Sequence, residues 1–131
     1  MKLYIVLLFA IFHSCMSGKI STKTGIDEIH FGSGGGFTGE VKAYMLSANG
    51  QLTERTKEIG LSKEIDSKTI LGIFSEAKEI KAYSLNEPGN IYLFIEIKSK
   101  ETSNKIVWAY GSTIADNKVI QLYNKLISLT R

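Results

Sequence analysis

The stretch Glu40-Val41-Lys42-Ala43-Tyr44-Met45-Leu46-Ser47-Ala48-Asn49-Gly50-Gln51 decides the fold class. Val41, Ala43 and Met45 alternate with Glu40, Lys42, Tyr44 and Leu46, which is the two-residue period of a strand. Asn49-Gly50 then supplies a pair suited to a tight turn in which both residues take positive φ. Gln51 to Glu58 returns as the partner strand, so a β-hairpin is expected. Upstream, Ile26 to Phe31 reads as a first strand, followed by the run Gly32-Ser33-Gly34-Gly35-Gly36-Phe37-Thr38-Gly39.

Downstream the period changes. Ile70, Ile73, Phe74, Ala77 and Ile80 fall on one helical face between Asp66 and Tyr83, with Asp66 or Ser67 as the cap. Gly72 weakens that helix by about 1 kcal/mol relative to alanine, so packing must hold it. Glu87-Pro88-Gly89-Asn90 is a turn. Ile91, Leu93, Ile95 and Ile97 then alternate with Tyr92, Phe94, Glu96 and Lys98, and Lys105 to Tyr110 forms the antiparallel partner. Asp116 caps a last helix that buries Val119, Ile120, Tyr123, Leu126 and Ile127. The expected fold is α+β with two layers, an antiparallel sheet of about four to five strands carrying two helices on one face.

Composition narrows the function classes. The 131 residues hold 16 basic and 13 acidic side chains, a net charge of +3 spread without a basic block. That pattern argues against a nucleic-acid partner. The one cysteine, Cys15, leaves the domain without a disulfide, a thiol nucleophile or a sulfur-ligated metal.

Cys15 closes an apolar run. Lys2 is followed by Leu3 to Phe12, too short to span a bilayer of about 30 Å as a stable helix, and then by His13, the small Ser14 and the cysteine. This is the layout of a bacterial lipoprotein signal, although Phe12 and His13 depart from the usual box. An ordinary cleaved secretory signal and an uncleaved N-terminal segment are the alternatives. The expected organisation is a signal peptide at 1–14, a lipidated Cys15 with a tether to residue 25, and a single domain over 26–131. Two or three acyl chains, at about 0.8 kcal/mol per buried methylene, anchor durably where one is marginal.

The glycine run is the most unusual local feature of the domain. Gly34, Gly36 and Gly39 satisfy G-x-G-x-x-G, but a dinucleotide site needs a helix directly afterwards, and the next segment alternates as a strand. Gly39 precedes Glu40 rather than Lys-Ser/Thr, so a phosphate-binding loop is excluded as well. Two readings stay open. In one, the glycines supply turns and a bulge while Phe37 tucks into the core. In the other, Gly34, Gly35, Gly36 and Phe37 form an exposed element that contacts a partner. Tyr92 and Phe94 lie opposite Ile91, Leu93 and Ile95. They form a second candidate surface, joined by Tyr44 if the strands pair suitably, unless loops or the first strand cover them. Trp108 reads as a core residue, with a partner contact as the alternative. His30 reads as a strand residue, since one histidine cannot build a multi-histidine zinc site. The scattered carboxylates designate no acid/base pair. No catalytic residue, metal ligand or cofactor is expected.

The stretch Phe31-Gly32-Ser33-Gly34-Gly35-Gly36-Phe37-Thr38-Gly39, with Asn86-Glu87-Pro88-Gly89-Asn90, Tyr92, Phe94, Trp108 and Gly111, resembles small lipoproteins of Bacteroidota. That resemblance covers roughly residues 29 to 129 and implies an envelope location. Met16 lacks the acidic character of an inner-membrane retention signal, so the expected location is the outer membrane, facing the periplasm. The expected function is a lipid-anchored, non-catalytic binding or inhibitor-like module with an envelope protein as partner. The alternative is a small ligand carrier or envelope enzyme with a pocket between sheet and helices.

Overall fold

Ile29 and Phe31 begin an alternation that does not stop at the first glycine. The computed structural model describes residues 23–131, and in it strand β1 runs Glu28–Gly35, so Gly32 to Gly35 belong to the strand rather than to a loop. The signal segment, Cys15 and most of the tether lie outside the described residues. The remaining elements are β2 (Val41–Ser47), β3 (Gln51–Glu54), β4 (Ser62–Glu64), α1 (Ser67–Ile80), β5 (Asn86–Glu87), β6 (Ile91–Lys98), β7 (Ser103–Ala109) and α2 (Asn117–Ser128).

The strands form one seven-stranded sheet in the order β4-β3-β2-β1-β6-β7-β5, larger than expected. It is mixed, because β5 pairs with β7 in parallel while the other pairs are antiparallel. The two unforeseen strands are the edges, three and two residues long. Segments that short carry no readable period. They pair because β3 and β7 offer open backbone edges, and their shortness blunts those edges against further association.

β1 lies at the centre, antiparallel to both β2 and β6. The β2–β3 hairpin forms as expected, with Leu46 opposite Leu52, although β3 stops at Glu54 rather than Glu58. Its turn differs from the expected one. Only Gly50 takes positive φ (95°), and its N–H donates to the Ser47 carbonyl at 2.9 Å. The Asn49 side chain accepts from the Gln51 N–H at 3.1 Å, which satisfies the corner without a left-handed asparagine.

Both helices pack on one face of the sheet. Ile29, Phe31, Leu46, Leu52, Ile95, Ile97, Ile106 and Trp108 point to that face. They share a core with Ile70, Phe74 and Ala77 of α1 and Val119, Leu122 and Leu126 of α2. Each large apolar side chain buried there contributes about 1.5–3 kcal/mol. Ile120 and Ile127 are only half-buried, and Leu122 takes the core place expected of Ile120. Asp66 caps α1 by accepting from the Thr69 N–H at 3.0 Å and the Thr69 hydroxyl at 2.7 Å, which holds its carboxyl below the usual range. Asp116 caps α2 through the Lys118 N–H at 2.8 Å. The helices run antiparallel, since Glu79 meets Lys118 at 2.7 Å and Glu76 meets Lys125. These exposed pairs set alignment more than stability.

Two glycines give opposite expectations. A Cβ at Gly72 on the exposed side of α1 would meet nothing within 4 Å, so Gly72→Ala is predicted to stabilise the domain by about 0.5–1 kcal/mol. A Cβ at Gly32 would overlap the Lys42 carbonyl oxygen, so Gly32→Ala must separate β1 from β2 and destabilise. Thermal midpoints of the two variants should fall on either side of wild type.

Candidate functional site at the glycine end of the sheet

Gly34 pairs with Val41 on β2 and with Tyr92 on β6, and Gly35 pairs with Ile91. A Cβ at Gly34 would sit 2.5 Å from the Tyr92 hydroxyl and 2.6 Å from its Cζ, so the Tyr92 ring occupies the space a side chain would take. Gly35 and Gly36 then adopt left-handed conformations (φ 89° and 79°), and the Gly36 N–H donates to the Asn90 carbonyl at 2.7 Å. This clamps the β1–β2 loop to the turn before β6. The loop closes when the Gly39 N–H reaches the Gly36 carbonyl at 3.2 Å, with Phe37 at its tip. After the loop comes a strand and not a helix, so the glycine pattern makes no dinucleotide cradle.

Phe37 is fully exposed and does not tuck into the core. Seven large apolar side chains are exposed among the described residues, and four of them gather here: Phe37, Val41, Ile91 and Tyr110. The pairings above bring Val41 and Ile91 to this end. Tyr110, which is 71% exposed, joins them because its N–H donates to the Ile91 carbonyl at 2.8 Å. Sequence reading singled out the loop but missed Val41, Ile91 and Tyr110. Val41 and Ile91 open their strands and Tyr110 directly follows β7, positions where an alternating pattern says nothing about whether a neighbour covers the residue.

The aromatic face resolves differently from expectation. Tyr92 is half-buried and lies 6.4 Å from Phe94 between ring centroids. Phe94 is only 5% exposed, with the Lys105 ammonium 4.6 Å from its ring centroid. Gly34, Gly35, Gly36, Phe37 and Tyr92 are therefore brought together, while Phe94 is withdrawn under its neighbours. Tyr44 is not beside them. It faces the helices, buried and stacked on Phe31 at 5.5 Å, because its alternation places it with Leu46.

On the helix side of the same end is a groove of about 500 Å³ between β1, β6 and the C-terminal half of α2. Ser33 lies in its floor, Leu93, Ile91, Ile127 and Tyr110 form apolar walls, and Lys42 stands at one end. A hydrogen bond to Tyr44 holds the Lys42 ammonium above the ordinary lysine value. Tyr123 closes the inner wall, donating to the Gly32 carbonyl at 3.2 Å and meeting Trp108 edge-on at 5.3 Å. The chemistry on offer is binding: apolar area, one cation and hydroxyl groups. His30 sits away from this end on the open face, 2.8 Å from Glu28. Among the described residues, no three histidine, cysteine, aspartate or glutamate side chains converge as metal ligands. No protein-family model matches the sequence, and no curated protein matches it.

Burial pushes the Tyr123 hydroxyl up to about 12 from 10.0, with a smaller contribution from Tyr44. The unfolded chain therefore loses this proton first, and stability present below pH 10 falls as pH rises through the window to about 12. At pH 8, Tyr123→Phe should cost about 1 kcal/mol for the lost hydrogen bond. That deficit relative to wild type should shrink as pH rises towards 12, read as the difference in thermal midpoint. A difference independent of pH would contradict the assignment.

Proposed function

We propose that this protein is a lipid-anchored envelope module that acts by binding a protein partner through the glycine end of its sheet. The observation that carries the reading is the fully exposed Phe37, held on a clamped loop beside Val41, Ile91 and Tyr110. Val41 on the open face and Ile91 and Tyr110 on the helix face flank that loop, and apolar side chains collected at one end of a sheet, rather than scattered singly, are the composition of a recognition surface. An aromatic anchor of this kind concentrates binding energy in a few residues.

The direction of the chain supports the same reading. The described chain enters the domain at Ile26, which is buried, and β1 carries it from Glu28 to Gly35. Eight strand residues span about 23 Å at about 3.3 Å per residue. With Cys15 acylated, the tether reaches the domain at the Glu28 end and the Phe37 loop is presented at the opposite end. A partner standing off the membrane would meet that loop first. The likeness to Bacteroidota lipoproteins and the sequence around Cys15 support an outer-membrane, periplasm-facing location.

A photo-crosslinking residue placed at position 37 should capture one discrete partner in intact cells, while the same residue at exposed Leu71 on α1 should not. Phe37→Ala, with an unchanged thermal midpoint, should lose that partner in affinity capture by at least tenfold. Equal capture from positions 37 and 71, or none from 37, would overturn the proposal.

A further inference from the structure

We infer that the groove between α2 and the sheet is a binding site for a single-chain amphiphile with an anionic head, a free medium-chain fatty carboxylate. The groove has a direction. Lys42 on β2 pairs with Ser33 on β1, β1 pairs with β6 where Leu93 and Ile91 stand, and Tyr110 follows β7. Crossing from β2 to β7 takes three strand-to-strand steps of about 4.8 Å, a run of about 14 Å. A cation occupies one end of that run, and beyond it the sheet side is walled by Leu93, Ile91 and Tyr110, with Asn124 and Thr130 adding polar groups on the far side. Ile127 of α2 covers it from above.

Charge favours this occupant. Among the described residues no carboxylate lines the groove, and none lies within ion-pair distance of the Lys42 Nζ, although Glu54 and Glu40 stand near enough to favour its charged form. Glu54, on the neighbouring strand, is engaged by Lys57 at 3.5 Å and by the Leu61 N–H at 3.3 Å. The Lys42 ammonium lies 5.7 Å from the Tyr44 ring centroid at the end of the groove, and beyond its hydrogen bond to Tyr44 it has further N–H donors to offer. A lysine is a compact point charge, suited to a single carboxylate, whereas a planar forked site would call for arginine. The volume, about 500 Å³, falls within the range of small-molecule sites, about 300–1,000 Å³. An apolar chain laid against Leu93, Ile91 and Ile127 would remove exposed hydrocarbon from water, including Ile91, which is 47% exposed.

This site shares Ile91 and Tyr110 with the surface around Phe37 but not Phe37 itself, which does not line the groove, while Lys42 lines only the groove, so variants at positions 37 and 42 test the two sites separately. The probe is dodecanoate, held below its micelle concentration and titrated calorimetrically into the whole domain. Emission of Trp108 gives a second readout, since it is the chain's one tryptophan and touches the groove wall through Tyr123. The expected result is one saturable site. Lys42→Met should weaken binding about fivefold, the scale of an exposed ion pair. Lys42→Glu should weaken it further while improving the affinity for dodecylammonium. Lys42 is exposed, so both variants should keep the wild-type thermal midpoint. Phe37→Ala should leave dodecanoate binding unchanged. The proposal is overturned if dodecanoate gives no saturable heat, if Lys42→Glu leaves its affinity unchanged, or if Phe37→Ala abolishes it.

Discussion

The near-absence of side chains along the second half of β1, where Ser33 alone stands among Gly32, Gly34 and Gly35, is the constraint on which the rest of this molecule depends. At Gly32 the β2 backbone comes so close that a Cβ would overlap the Lys42 carbonyl oxygen, and at Gly34 the Tyr92 ring fills the space a side chain would need. β1 is the central strand, so its shape is imposed on β2 and β6 together. The Gly32 carbonyl accepts from Tyr123, which ties the same strand to α2. One glycine-rich segment thus positions an aromatic ring on the open face, a helix on the covered face and a loop at the end.

Glycines inside a strand lose backbone entropy on folding and contribute no side-chain burial. The compensation lies elsewhere in the core. Ile29 and Phe31 at the other half of β1 are fully buried, and they meet Ile95 and Ile97 of β6 under the helices. The strand is therefore divided along its length. Its first half anchors the domain, and its second half is thin enough for neighbouring backbone and rings to close over it. The exposed apolar side chains collect where the thin half ends, because no helix residue extends over Phe37 or Tyr110 to cover them.

Much of the architecture was legible from the residues. Helix faces, the Asp116 cap and the β2–β3 and β6–β7 pairings follow from periodicity and local hydrogen bonding, while the choice of Asp66 over Ser67 as the first cap is made by the helix start. The extent of β1 was not legible, because glycine has low strand propensity and nothing in Gly32 to Gly35 announces that two flanking strands hold it extended. The edge strands β4 and β5 exist only through their partners. At the site, Phe37 and the glycines stood out as an unusual composition. Ile91, Tyr110 and Lys42 did not, since their association depends on register across four strands. Whether Tyr44 joins Tyr92 depends on strand pairing, and the alternation from Glu40 to Leu46 has apolar residues on both sides, so only the register with Phe31 and the helices decide that Tyr44 is buried.

The account rests most directly on where two rings lie, Tyr92 against Gly34 and Phe37 in solvent. Nuclear Overhauser contacts measured on the isotopically labelled domain report both at once. The structure predicts strong contacts from the Tyr92 ring protons to the Gly34 α-protons, and none from the Phe37 ring to Leu93 or Ile127. Contacts from Phe37 into the groove, with Tyr92 free of Gly34, would contradict it: the exposed recognition tip and the open groove would then both be lost.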